Sequence, residues 1–335
     1  MSSQTATGGA ASAASPAVIR AAGFRRFGGP EAMEVIELPC PVAGSGEVVV
    51  KVSAATVNPT DILMLEGLQA ARMQGLVPPY VAGMEFSGTV HEVGPGVTGL
   101  QVGQAVMGLV NPRRPGGGAQ AEYVCVPAAS VVPAPDNEGA AAAATVPMNG
   151  LTAWMCLQAL GLPAGGVLLV TGGAGAVGSY VIQLARHAGL HVIADAKDAD
   201  RARVQASGAD QVVPRGPGMA EAVRAAFPGG VDGLVDAALL GDAAAALVRE
   251  GGAVALLRTG QAFADTRVRV TNIGVMQQAT NTEALAWVAD RVRDGTLQPQ
   301  VAARVPMAHA REAYAQVRQG GLRGRVVLTF NGDGA

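Results

Sequence analysis

From residue 18 to about 137, apolar and polar positions alternate in short runs such as EVVVKVSAA and SGTVHEV, divided by the turn signals GGP, GSGE and GPG. Period-two alternation between turns predicts half-buried strands. From about 138 to 274 the pattern changes. Unbroken apolar runs (VLLVTG, HVIADA, GLVDAA, AVALLRTG) are separated by alanine-rich stretches with helical spacing. Strands buried on both faces read this way, and crossover helices between them give a parallel sheet. The end of the chain predicts a helix over 282–294, a short strand, a helix over 308–319 and the closing strand RVVLTF. No internal repeat interrupts this order.

The strongest chemical signal lies where the second pattern begins. In VLLVTGGAGAVGSYVIQLARHAG a buried strand runs into Gly173, Gly175 and Gly178, spaced as GxGxxG. A helix follows, with an apolar stripe at Val181, Ile182, Leu184 and Ala185. Glycines there permit a tight turn, close approach of a pyrophosphate to the backbone, and close helix–strand packing, while the helix N-terminus offers free N–H groups. Glycine-rich loops are common, but this one sits between a strand and a helix with a second strand beyond it, which makes it specific. Gly173, Ala174, Gly175, Ala176, Val177 and Gly178 are the expected dinucleotide loop.

The second strand runs into HVIADAKDADR. A carboxylate at its end would hold ribose hydroxyls of NAD, and basic groups would hold the 2′-phosphate of NADP. Asp195 suits the first role; Lys197 and Arg201 suit the second. Alternation places Asp195 and Lys197 on one face of the strand. Lys197, Asp198, Asp200 and Arg201 also suit a solvated helix start with Asp198 as its cap.

Composition narrows the field. A chain of 335 residues accommodates two domains. A formal charge of −2 with 15% charged residues gives no basic stripe for nucleic acid, and no apolar run is long enough to span a bilayer. Three cysteines without CxxC spacing argue against disulfides and a thiolate zinc site, so a reducing cytoplasm is the expected compartment. Residues 1–17, small and polar, read as a disordered tail.

These motifs resemble the medium-chain dehydrogenase/reductase superfamily, in its zinc-free quinone oxidoreductase branch. The resemblance runs from Val18 to Phe330 through FGGPEAMEV, AATVNPTDILMLEG, the stretch from Tyr80 to Val106, GGGAQAEYV, NGLTAW, the glycine loop and GLRGRVVL. It implies an α/β chain with a β-rich GroES-like catalytic domain from residues 18–137 and 275–335. A Rossmann domain, 138–274, would be inserted between these parts, with the active site in the cleft. It also implies that Ala196 occupies the acidic NAD position, and that Lys197 and Arg201 hold the 2′-phosphate. NADPH is therefore expected over NADH. A homodimer joined at the strand-like RVRVTNIGV is implied as well.

One carboxylate in this stretch raises a question of its own. Glu85 sits in YVAGMEFSG among apolar residues, where an unpaired charge needs a partner, a metal or a proton. Zinc-dependent relatives carry a histidine just before this glutamate. Here the triplet is Gly83-Met84-Glu85, and the other ligand positions hold Asn58 and Met148. Thioethers and an amide are poor zinc ligands, and the cysteine lobe is replaced by NPRRPGGGAQAEY. No metal is expected, and Glu85 is expected to be a structural survivor paired within the fold.

Without a Lewis acid, the expected substrate is a quinone or another conjugated carbonyl, whose reduction spreads charge over an enolate or phenolate. The expected catalytic residues are Asn58, Asp61 and Thr152, with Thr152 at the nicotinamide end. Leu63, Met64 and Asn149 are expected to line the substrate pocket. Quinone reductases of this branch carry a tyrosine where this chain has Leu63, and Tyr80 and Tyr123 read as core aromatics. No proton donor is assigned. An enoyl reductase, or a non-catalytic NADP(H)-binding redox sensor, stays open beside the quinone reductase.

Overall fold

The computed structural model describes residues 15–257 and 264–330. Most of the expected tail, and the last three residues of AVALLRTG, lie outside them. Three sheets organise the rest.

The alternating first region and the closing strand build one sheet of seven strands. Its order is Val301–Pro306, Arg325–Thr329, Glu47–Val57, Glu85–Val93, Ala105–Leu109 and Val131–Pro133, with Tyr123–Pro127 also pairing Glu47–Val57. Both ends of the chain therefore meet in one body, because Arg325–Thr329 runs antiparallel to Glu47–Val57. Alternation along Glu47–Val57 weakens toward its end, where Ala54, Ala55, Thr56 and Val57 are all buried. A small three-stranded sheet, Glu34–Pro39, Val18–Phe24 and Tyr80–Val81, packs beside it.

The apolar runs of the middle region build a parallel six-stranded sheet. In space its order is Gln211–Pro214, His191–Ala196, Val167–Thr171, Val231–Asp236, Val248–Leu256 and Arg269–Asn272. By chain order that is 3-2-1-4-5-6, the doubly wound arrangement. Both faces are covered: Leu168 and Val170 pack into one hydrophobic core, and Leu169 into another across the sheet. Each such side chain contributes about 1.5–3 kcal/mol by leaving water. The strand order reverses between Val167–Thr171 and Val231–Asp236, which run parallel, and this opens a crevice at the carboxyl ends of those strands. The expected edge, RVRVTNIGV, forms the four-residue strand Arg269–Asn272 at one margin of this sheet.

Helix ends shift slightly from the expected positions. The closing helix is Ala310–Gln319, preceded by a 3₁₀ turn at Met307–His309. Asp198 opens a 3₁₀ turn, and Asp200 occupies the cap of the helix Arg201–Ala206. Asp200 also accepts two hydrogen bonds from Arg323, which ties this helix to the loop before the closing strand.

Candidate active site

The strand Val167–Thr171 ends at Gly172, whose φ of 70° lies in the left-handed region. The tight turn thus falls one residue before the first glycine of GxGxxG, and two consecutive glycines hide that shift in the sequence. Gly175 caps the helix Ala176–His187 without any side chain satisfying the first-turn N–H groups. Gly178 serves packing instead, since a Cβ there would come within 2.2 Å of the Gly172 carbonyl oxygen. The helix can approach the strand only at a glycine.

Gly175, Ala176, Val177 and Gly178 face a cleft of about 730 Å³. Gly173 and Ala174 do not line it. The N–H groups of Gly172 and Gly173 donate to Asp195 Oδ1, so this part of the loop is held against the second strand.

The opposite wall comes from the short helix Pro59–Leu65, the segment after it, and Met84 and Met148. Leu63 lines the cleft as expected of a pocket residue. Met64 does not: it is 1% exposed and packs with Val57 and Tyr314 in the core below. A seven-residue helix shows too few turns for the sequence to reveal which face is buried. Asn58, Asp61 and Asn149 are also buried behind this wall, and the Thr152 hydroxyl donates to the Met148 carbonyl at 2.7 Å within its own helix. Tyr80 stacks on Phe27 and meets Phe24 at a tilt, and Tyr123 makes an edge contact with His91.

Leu239 also lines the cleft, with a φ of 60° that is unusual outside glycine. Its loop is fixed from below. The Asp236 carboxylate accepts from Thr171 Oγ1 (2.6 Å) and from the N–H groups of Leu240 (3.0 Å) and Gly241 (2.8 Å).

Glu85 has the partners its burial requires. Oε1 accepts from Thr56 Oγ1 at 2.8 Å, Asn149 Nδ2 at 3.1 Å and Asn58 Nδ2 at 3.4 Å; Oε2 accepts from the Met148 N–H at 2.8 Å. Burial pushes its carboxyl upward, and the Arg325 guanidinium opposes that shift most strongly. Arg325 donates through Nε and Nη2 to Asn149 Oδ1 and reaches into the cleft with the glycine loop. Glu85 therefore anchors, through Asn149, a cation that faces the cleft. Nothing in the local sequence singles out Arg325, although it lies in the GLRGRVVL motif.

Asp61 closes a capping box, accepting from the Asn58 N–H (2.8 Å) and the Gly83 N–H (3.1 Å). Burial pushes its carboxyl up to about 7; those two N–H donors oppose the shift and nearby Glu85 adds to it. Since the folded pKa exceeds the unfolded one, the folded state binds more protons between the two. Stability should then fall as pH rises from about 4 to about 7. Asp61→Asn is expected to flatten that slope while lowering stability overall, because an amide accepts through one oxygen only. Urea midpoints at about pH 4.5 and about pH 7.5 check this.

The residues at the former zinc positions do not fit zinc. Met84 and Met148 offer thioethers, the Asn58 amide nitrogen donates to Thr56 Oγ1, and Glu85 is fully engaged. Among the described residues no group of three or more His, Cys, Asp or Glu side chains is placed to hold a metal ion.

At the far end of the loop, Lys197 is exposed and caps the turn after His191–Ala196. Arg201 donates to the Val212 carbonyl at 2.8 Å. A third cation, not anticipated, joins them. Arg215 directly follows the neighbouring strand, and its Nε lies 3.8 Å from Asp195 Oδ2. The Asp195 carboxylate is thus turned to the glycine loop and Arg215, with 1% of its side chain exposed.

Comparison with known proteins places these features in context. Residues 44–136 match the alcohol dehydrogenase GroES-like domain, and 207–328 match the zinc-binding dehydrogenase domain. The chain is 27% identical over 321 residues to a chloroplast envelope quinone oxidoreductase homolog of Arabidopsis thaliana, covering 90% of this chain and 95% of that one. It is 29% identical over 322 residues to a 2-methylene-furan-3-one reductase of Solanum lycopersicum, covering 93% and 79%. Its fold matches the quinone oxidoreductase from Coxiella burnetii with a TM-score of 0.83 at 27% identity, over 94% of this chain and 100% of that one.

Proposed function

We propose a function from the premise that this chain belongs to the medium-chain dehydrogenase/reductase superfamily, among its quinone oxidoreductase-like members. It is an oxidoreductase with a dinucleotide-binding domain. On our reading it is an NADPH-dependent reductase that delivers hydride to a quinone or a related conjugated carbonyl without a metal. One observation carries this: an uncapped helix N-terminus, the Arg325 cation and the apolar side chains Leu63, Met84 and Met148 all face one cleft.

The residues divide the work by chemistry. First-turn N–H groups of Ala176–His187 suit a pyrophosphate, with Arg325 supplying positive charge nearby. When bound, the nicotinamide supplies the hydride. Leu63, Met84 and Met148 keep the transfer dry, which strengthens every polar interaction there. A conjugated acceptor spreads the incoming charge, so hydrogen-bond donors suffice where a simple ketone would call for a Lewis acid. The cleft offers the Arg113 guanidinium, which donates to Gln69 at 2.7 Å, as such a donor. The proton that completes the reaction comes from water. The furanone reductase relative, named for a conjugated ketone, favours this substrate class over simple alcohols.

Lys197, Arg201 and Arg215 form the basic edge that would meet a 2′-phosphate. Each is exposed, so about 1 kcal/mol apiece is a reasonable value. At about 1.4 kcal/mol per decade this gives a preference for NADPH over NADH of roughly a hundredfold. Replacing all three by alanine should remove most of that preference, chiefly by weakening NADPH. Dissociation constants for both cofactors with both proteins test it; a native preference for NADH would overturn the assignment.

A further inference from the structure

A second cavity, of about 680 Å³, opens on the GroES-like body and is lined by none of the glycine loop. Its walls come from the small sheet (Ile19, Leu38, Val81), the segment around Leu76 and Val77, and the loop 112–117. In size it rivals the cleft, and it falls within the range of small-molecule sites, about 300–1,000 Å³.

Two stretches of chain separate the two spaces, and each presents neighbouring residues to opposite sides. Arg113 lines the cleft, whereas Pro112, Arg114 and Pro115 line the cavity. Gln69 and Arg72 line the cleft, whereas Gly75, Leu76 and Val77 line the cavity. A ligand in one space is therefore not in the other.

The cavity's polar groups are mostly spoken for. Arg114 donates through Nε to the Gly117 carbonyl (3.1 Å) and through Nη2 to the Cys125 carbonyl (2.5 Å). Glu47 accepts from the Gly44 N–H at 3.1 Å and takes a weak bond from Cys125 Sγ, and the Tyr80 hydroxyl donates to the Leu76 carbonyl at 3.3 Å. Burial and the neighbouring Glu47 carboxylate push the Cys125 thiol up to about 11. One cation and one anion line the space, so no net charge is favoured. Apart from the Tyr123 hydroxyl, what is left is mainly apolar surface, with Val42 and Val77 74% and 80% exposed at the rim.

We propose that this cavity is a second ligand site, independent of the cleft, which takes a neutral, mainly apolar ring compound. It stands apart from the functional reading of the cleft.

N-Phenyl-1-naphthylamine, a neutral aromatic dye that brightens in apolar surroundings and carries no carbonyl for the cleft to reduce, is the probe. Titrated into protein saturated with NADPH, it should bind with about 1:1 stoichiometry. Val42→Trp and Val77→Trp, made separately, place bulk at the rim from exposed positions where the fold has no stake. Each should weaken the dye at least tenfold with the thermal midpoint unchanged, and either variant alone suffices if the other folds poorly. Absence of dye binding, or binding of native strength in a folded tryptophan variant, would overturn the proposal.

Discussion

Gly175→Val should raise the dissociation constant for NADPH at least a hundredfold, equivalent to about 2.7 kcal/mol, while leaving the protein folded. The two halves of that outcome have separate causes. Gly175 has φ −78° and ψ 166°, a conformation any residue adopts. A Cβ there would meet only the Gly172 carbonyl oxygen, at 3.1 Å. The fold therefore accommodates a side chain with a small shift. A valine would nonetheless stand at the N-terminus of Ala176–His187, on the cleft surface where a pyrophosphate must touch the backbone. Gly178→Val reverses the pattern. Its Cβ, 2.2 Å from one backbone atom and 2.9 Å from another, forces helix and strand apart. Poor folding is the expected result there. Calorimetric titration and thermal melts of the two variants separate the effects, and native NADPH affinity in Gly175→Val would refute the loop assignment.

The second large effect concerns Glu85. Glu85→Ala leaves the Thr56 hydroxyl, the Asn149 amide and the Met148 N–H without their buried acceptor, and removes the anion that faces Arg325. Breaking a buried ionic network from one side costs about 3–5 kcal/mol. At about 2–4 °C per kcal/mol, the thermal midpoint should fall by roughly 6–20 °C. Loosening Arg325 should also weaken NADPH about tenfold, the loss of one charge-assisted contact. Arg325→Ala should weaken NADPH similarly and lower stability as well, since it leaves buried Glu85 without its cation and Asn149 Oδ1 without its donors. A Glu85→Ala protein with native melting and native affinity would mean that the network is incidental.

Periodicity carried much of this architecture. The parallel strands showed as unbroken apolar runs because both faces of each are covered, and Val181, Ile182, Leu184 and Ala185 are all buried, as their spacing requires. The lining of the cleft was readable where it is local in the chain, as at Gly175, Ala176, Val177, Gly178 and Leu63. It was hidden where distant segments converge. Arg325 reaches the cleft only because the last strand joins a sheet begun by the first region, and Arg215 meets Asp195 only because two strands lie side by side. No spacing rule reports such encounters. Asn149 was obscured for another reason: the helix Val146–Leu160 is covered on nearly every side, so its pattern marks no cleft-facing stripe.

The decisive measurement is which carbon receives the hydride. Protein dialysed against a chelator is mixed with NADPH deuterated at the transferable position and with a simple α,β-unsaturated ketone. The product is then read by NMR and mass spectrometry. Reduction without a Lewis acid at a conjugated acceptor predicts one deuterium at the β-carbon, with the carbonyl intact. Deuterium at a carbinol carbon, restored only when zinc is supplied, would contradict it.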